Sequence, residues 1–155
     1  MSLGIIKVEA SLDFARLVND VRKALINGHV ISVDYSNDSK RGRVIENNPL
    51  LTSARDEEAN MYAIWKKKKT AKNWKLMYIG QTKTKYIYYR LINHLFHKDP
   101  NTGSKLHEIL DSVKSGYMIG VTLASVYPEE LRTSVEERLI RVMKEGGACP
   151  WNIKG

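Results

Sequence analysis

Apolar residues recur at three- and four-residue steps through Leu12, Phe14, Leu17, Val18, Val21 and Leu25, and Gly28 stops the run. This spacing predicts a helix over 12–26. The stretch His29-Val30-Ile31-Ser32-Val33-Asp34-Tyr35 alternates as a strand does. Residues 36–42, SNDSKRG, read as a polar turn, 43–46 as a short return strand, and 47–59, with Pro49, as a polar connector.

Two apolar runs follow, Met61-Tyr62-Ala63-Ile64-Trp65 and Leu76-Met77-Tyr78-Ile79-Gly80, with a block containing Lys66 to Lys69 and Lys72 between them. Both are rich in strand-favouring side chains, which predicts a hairpin with a lysine loop. Ile87, Leu91, Ile92, Leu95 and Phe96 form one face of a helix over 82–98, which Asp99-Pro100-Asn101 ends. A second helix covers 103–114, with Leu106, Ile109, Leu110 and Val113 apolar, and YMIGVTL, 117–123, is a buried strand. Pro128 opens a third helix, Glu129 and Glu130 suit its positive end, and Gly146-Gly147 closes it. From residue 60 the order is strand, strand, helix, helix, strand, helix. It predicts an α+β domain over 60–155 with a small, mainly antiparallel three-stranded sheet flanked by helices, and an N-terminal helix and strand extension over 1–59.

Composition narrows the class. Of 155 residues, 43 % are apolar and 27 % charged, which suits a folded globular chain. No apolar run approaches the roughly 20 residues of a membrane span. No basic start precedes an apolar core, so no signal peptide is expected. Cys149 is the single cysteine and cannot form an internal disulfide, which fits a reducing cytoplasm. Beside Pro150 it reads as a small buried residue sooner than a nucleophile, and a structural zinc site has no cysteine–histidine cluster to hold it. The net charge of +8 points to a polyanionic partner, nucleic acid first. Charge that merely keeps the chain soluble explains it equally well.

Several polar residues stand where chemistry could use them. Arg90 and His94 are four apart and share a helix face; a phosphate site and an ordinary solvated face both fit. Glu136 and Glu137 are adjacent but not equivalent. At about 100° per residue, Glu136 falls between Ile140 and Met143 on the buried side, and Glu137 falls with Thr133, Arg141 and Lys144. A carboxylate on an apolar face needs a partner, and a metal ion or an arginine would serve.

Together these pieces resemble the GIY-YIG nuclease domain over roughly residues 60–153. Tyr62 matches the tyrosine that ends the first motif, Tyr78-Ile79-Gly80 is an intact YIG, and Arg90 follows on the next helix with His94 one turn later. Glu136 precedes Leu139 and Ile140 as the family's metal-binding glutamate precedes its apolar pair, and Asn152 in PWNI matches the closing asparagine. Asn60 and Met61 replace the glycine and isoleucine of GIY, and Gln81 stands where some members carry a lysine.

The resemblance implies a magnesium-dependent, sequence-specific DNA endonuclease, a small type II restriction enzyme, with manganese able to substitute. In that reading Tyr62 is the general base, His94 accepts or passes its proton, Arg90 clamps the scissile phosphate, and Glu136 holds the metal. Tyr78 orients phosphate or water, and Asn152 braces the site. Lys66, Lys67, Lys68, Lys69, Lys83 and Lys85 would contact the backbone of double-stranded DNA, and a palindromic target would favour a homodimer. The alternative is a non-catalytic basic nucleic-acid-binding module with a nuclease-like fold.

Overall fold

A computed structural model describes residues 13–35, 46–96 and 104–153. In chain order the elements are α1 (Phe14–Ile26), β1 (Ile31–Ser32), α2 (Leu50–Asp56), β2 (Met61–Lys68), β3 (Lys75–Gln81), α3 (Ile87–Leu95), α4 (Leu106–Lys114), β4 (Tyr117–Ala124) and α5 (Arg132–Glu145). Short 3-10 turns at Thr84–Tyr86 and Glu129–Leu131 lead into α3 and α5.

The chain is α+β, as its pattern predicts, but the sheet has four strands, in the order β1-β4-β2-β3, and every pairing is antiparallel. The fourth strand comes from the N-terminal extension. Ile31 and Ser32 pair with Val121 and Gly120, and the Val33 amide continues the ladder to the Ile119 carbonyl at 2.8 Å. The expected strand over 29–35 therefore shortens to two ladder residues on the outer edge of β4.

Helices cover both faces. On one, Tyr62 and Ile64 of β2 pack with Leu50, Leu51 and Ala54 of α2, Ile87, Leu91 and Leu95 of α3, and Ile109 of α4. On the other, Met61, Ala63 and Ile79 pack with Val21 and Leu25 of α1 and Val135, Leu139 and Ile140 of α5. Side chains alternate faces along a strand, so one strand feeds two cores.

The connector expected over 47–59 contains α2. Its polar residues hide three buried ones, Leu50, Leu51 and Ala54, and Pro49 sits at its start. In α4, Leu110 is 36 % exposed and Ser112 takes a buried place instead. Its hydroxyl donates to the Glu108 carbonyl at 2.9 Å, which satisfies it there. The return strand expected over 43–46 lies outside the described residues apart from Glu46, and so do Leu12 and the 99–101 helix stop.

The lysine block is only partly a loop, at Lys69 and Lys72. Lys66, Lys67 and Lys68 lie in β2, opposite Ile119, Met118 and Tyr117 of β4. A ladder needs only backbone groups, and aromatic rings accept the side chains. Lys66 Nζ lies 4.4 Å from the centre of the Tyr117 ring, and Lys67 Nζ 5.1 Å from that of Trp74.

Among the described residues the outer edge of β3 has no strand beside it, and the C-terminal segment satisfies it instead. Cys149 N–H donates to the Leu76 carbonyl and Trp151 N–H to the Met77 carbonyl, at 3.2 and 3.0 Å. Asn152 then holds both backbone groups of Ile79, accepting its N–H and donating to its carbonyl at 2.9 Å each. An edge so covered cannot pair with another chain. No described helix is long and apolar enough to cross a membrane.

Candidate active site

β2 and β3 place Tyr62 opposite Gly80 and Ile64 opposite Tyr78. Both tyrosines project toward α3, where Arg90 and His94 meet them. The ring centres of Tyr62 and Tyr78 are 6.3 Å apart, and those of His94 lie 5.4 and 5.2 Å from them. Gly80 makes this possible. A Cβ there would stand 2.3 Å from Tyr62 Cζ and 2.4 Å from its hydroxyl oxygen, so any larger residue would push the phenol away.

The Tyr62 oxygen lies 2.7 Å from His94 Nε2 and accepts Arg90 Nε–H at 3.3 Å. His94 Nδ1 accepts the Lys105 backbone N–H at 2.9 Å. A ring nitrogen that accepts carries no proton, so the neutral imidazole holds its proton on Nε2 and donates it to Tyr62. Burial, then the charges of Arg90 and Lys105, push the His94 pKa down to about 3. His94 is therefore a fixed neutral donor, and the expectation that it accepts the Tyr62 proton does not fit its hydrogen bonds.

Burial dominates at Tyr62 and raises its pKa. Tyr78 and Glu136 add to the rise, and Arg90 opposes it. The phenol is neutral at rest and 0 % exposed. Tyr78 and Arg90 are half-buried, so solvent meets the cluster at those two. Burial likewise raises Tyr78, with Arg90 opposing. At Arg90 burial works downward, but its bonds and charge contacts with the tyrosines prevail and keep it protonated.

Glu136 approaches from α5. The Gln81 backbone N–H acts on its carboxyl. Gln81 is two residues, about 7 Å, along the β3 edge from the Ile79 groups that Asn152 holds. Burial pushes the Glu136 carboxyl up to about 7, Gln81 N–H lowers it, Glu137 raises it, and Arg90 lowers it. Glu136 is half-buried and Glu137 exposed, as the helix wheel predicts. Among the described residues no arginine pairs with Glu136; the ion pairs join Arg55 to Asp56 and His107 to Asp111.

No protein-family model, curated protein or solved structure gives a significant match to this chain.

The site rests on residues that pattern alone does not single out. Asn60, just before β2, accepts Val126 N–H at 2.8 Å and donates to the Val126 carbonyl at 2.9 Å. The Glu129 carboxylate accepts Thr84 N–H and thereby ties the turn before α3 to the turn before α5. Lys105 fixes the His94 tautomer, and its Nζ lies 5.9 Å from the Tyr78 ring centre. None of these contacts has a local sequence signal, because each partner is distant in the chain.

The lysines divide into two groups. Lys83 and Lys85 are exposed between β3 and α3. Lys66 to Lys68 lie four to six residues along β2 from Tyr62, about 13 to 20 Å away, and Lys69 follows in the turn. Lys66 and Lys67 are half-buried and Lys68 and Lys69 exposed. Cys149 is buried, and burial, against Lys144, pushes its thiol up to about 12, which makes it inert as a nucleophile.

The donor set suits one hard divalent cation. Glu136 is a half-buried carboxylate with no ion pair among the described residues, and a bound cation would keep it ionised. Beside it, Gln81 Oε1 is buried and lacks a hydrogen-bond partner. Among the described residues no cluster of three His, Cys, Asp or Glu side chains could hold a metal ion; magnesium commonly uses one carboxylate with waters and substrate oxygens.

Proposed function

We propose that this chain is a magnesium-dependent, sequence-specific DNA endonuclease of the GIY-YIG type, with manganese able to substitute. One arrangement carries the reading. A phenol receiving N–H bonds from Arg90 and His94 stands across the β3 edge from an unpaired, half-buried carboxylate.

Phosphodiester hydrolysis needs a water oxygen to attack phosphorus, stabilised charge on the phosphate, and release of the leaving oxygen. Tyr62 would take the proton of the attacking water as a phenolate, after losing its own proton to the solvent that meets the cluster at Tyr78 and Arg90. Its ordinary pKa of about 10 makes it a poor base at neutral pH, and burial makes it poorer still. The His94 and Arg90 donors act the other way, because bonds to a developing phenolate strengthen as charge appears. Arg90 presents its remaining guanidinium N–H groups to phosphate oxygens. Tyr78, half-exposed, orients the phosphate or water. Glu136 would hold the cation, which when bound supplies charge neutralisation at the phosphate. Asn152 acts through β3 and positions Tyr78 and Gly80.

Lys83 and Lys85 would receive DNA phosphates near the site, and Lys68 and Lys69 phosphates farther along the duplex. A type II restriction enzyme acting on a palindrome would work as a homodimer.

The complete burial of Tyr62 favours a second reading, a basic nucleic-acid-binding module without catalysis. Incubation with supercoiled plasmid separates the two. The nuclease reading expects discrete fragments with magnesium and intact plasmid with chelator. Tight binding with no cleavage under either divalent cation would leave the binding module standing. Undiminished cutting in chelator would remove the cation from Glu136.

A further inference from the structure

We propose that Gln81 supplies its side-chain carbonyl oxygen as a second protein ligand to the divalent cation assigned to Glu136. The inference rests on the cation reading above and adds a residue to that site.

The two residues are neighbours, since the Gln81 backbone N–H acts on the Glu136 carboxyl and lowers it. Alternation along β3 settles where the Gln81 side chain goes. A Cβ on Gly80 would point into Tyr62, and Ile79 enters the core shared with α1 and α5. Gln81 follows Ile79 and leaves the sheet on the α5 face, the side from which Glu136 approaches.

There Oε1 is buried with no hydrogen-bond partner. A lone buried acceptor costs about 1–3 kcal/mol, so native structures rarely keep one without a reason. An amide carbonyl and a carboxylate are both hard oxygen donors of the kind magnesium and manganese accept. A neutral second ligand has a further consequence. With only Glu136 charged, the bound cation keeps net positive charge for the phosphate.

Arg132 offers a competing partner. Its Nε is also buried and unpartnered, one helical turn before Glu136, while its Nη1 donates to the Glu129 carbonyl at 3.1 Å. The charges acting on the Glu136 carboxyl are those of Glu137 and Arg90. A Gln81–Arg132 pair is therefore an outcome the test must expose.

The test is manganese binding to the full chain without DNA, followed by electron paramagnetic resonance at pH 8. Gln81→Met, which keeps the length and removes the oxygen, should weaken binding about 10-fold. Gln81→Glu should tighten it, Glu136→Gln should abolish it, and Arg132→Met should leave it unchanged. Binding lost in Glu136→Gln but unaltered in both Gln81 variants would overturn the assignment. Equal weakening by Gln81→Met and Arg132→Met would overturn it in favour of the pair. Gln81→Glu decides the matter should Gln81→Met not fold. Manganese binding that needs both residues, in a chain that never cuts plasmid, would support the ligand and defeat the nuclease reading. No manganese binding by the unaltered chain would defeat both.

Discussion

The Tyr62 hydroxyl lies 2.7 Å from His94 Nε2, while the opposite nitrogen of the same ring accepts the Lys105 amide at 2.9 Å. The pair is thus oriented one way, with histidine donating and tyrosine accepting. His94→Leu should lower cleavage about 10²-fold, the usual scale for losing one donor to a developing charge. Nitrogen NMR of the free protein should find His94 neutral and protonated on Nε2 from pH 5 to 9, since burial holds it down to about 3. A His94 titration near its ordinary 6.5 would show the orientation to be wrong.

Gly80 is fixed by packing. Gly80→Ala must shift the Tyr62 ring, because the new Cβ would meet Cζ at 2.3 Å. Overpacking of this kind costs about 1–3 kcal/mol. Thermal melting should register that loss, and cleavage should fall with it. Tyr62→Phe keeps the ring and removes only the oxygen, so it should stay folded and lose activity. A Gly80→Ala protein with unaltered melting and cleavage would mean that the ring has room to move.

Asn152 tests the brace on β3. Asn152→Ala leaves Ile79 N–H and carbonyl without partners at a buried edge, at a cost of about 2 kcal/mol or more. Hydrogen exchange at the Ile79 amide should accelerate well beyond that at Ala63, which pairs inside the sheet. Asn152→Asp retains the acceptor for Ile79 N–H and should protect that amide better than alanine does. Equal exchange in all three proteins would place the brace elsewhere.

The Glu136 carboxyl makes stability depend on pH. Its folded pKa is about 7, against 4.5 ordinarily. Between those values the folded chain keeps a proton that the unfolded chain has lost, so stability falls as pH rises from 4.5 to 7. Above about 7 the penalty is complete. Glu136→Gln should therefore melt above the unaltered protein at pH 8, with the gap closing by pH 4. Magnesium should raise the melting temperature of the unaltered protein at pH 8 and not that of the variant. The opposite pH trend would mean that the carboxylate has a cationic partner.

Periodicity located the elements well where one face is buried and the other wet. α3 and α5 follow their apolar steps, and the wheel separates Glu136 from Glu137 because a half-buried position and an exposed one are about 100° apart. The failures have physical causes. α2 is short and carries Pro49, so three buried residues among polar ones read as a connector. The lysines of β2 read as a loop because charge masks a ladder made by backbone alone. β1 seemed part of a separate extension because strand pairing with residues nearly ninety positions later leaves no local trace. At the site, residue types and order suggested the cluster, but the direction of the Tyr62–His94 bond depends on the Lys105 amide, and the role of Asn60 on Val126.

Cleavage of supercoiled plasmid by Glu136→Ala and Glu137→Ala, side by side in magnesium, tests the central claim most directly. Glu136→Ala should cut nothing while still binding DNA. Glu137→Ala should cut nearly as the unaltered protein does, since an exposed charge is usually worth only a few tenths of a kcal/mol. Normal cutting by both variants, or loss in Glu137→Ala alone, would contradict the assignment of this site.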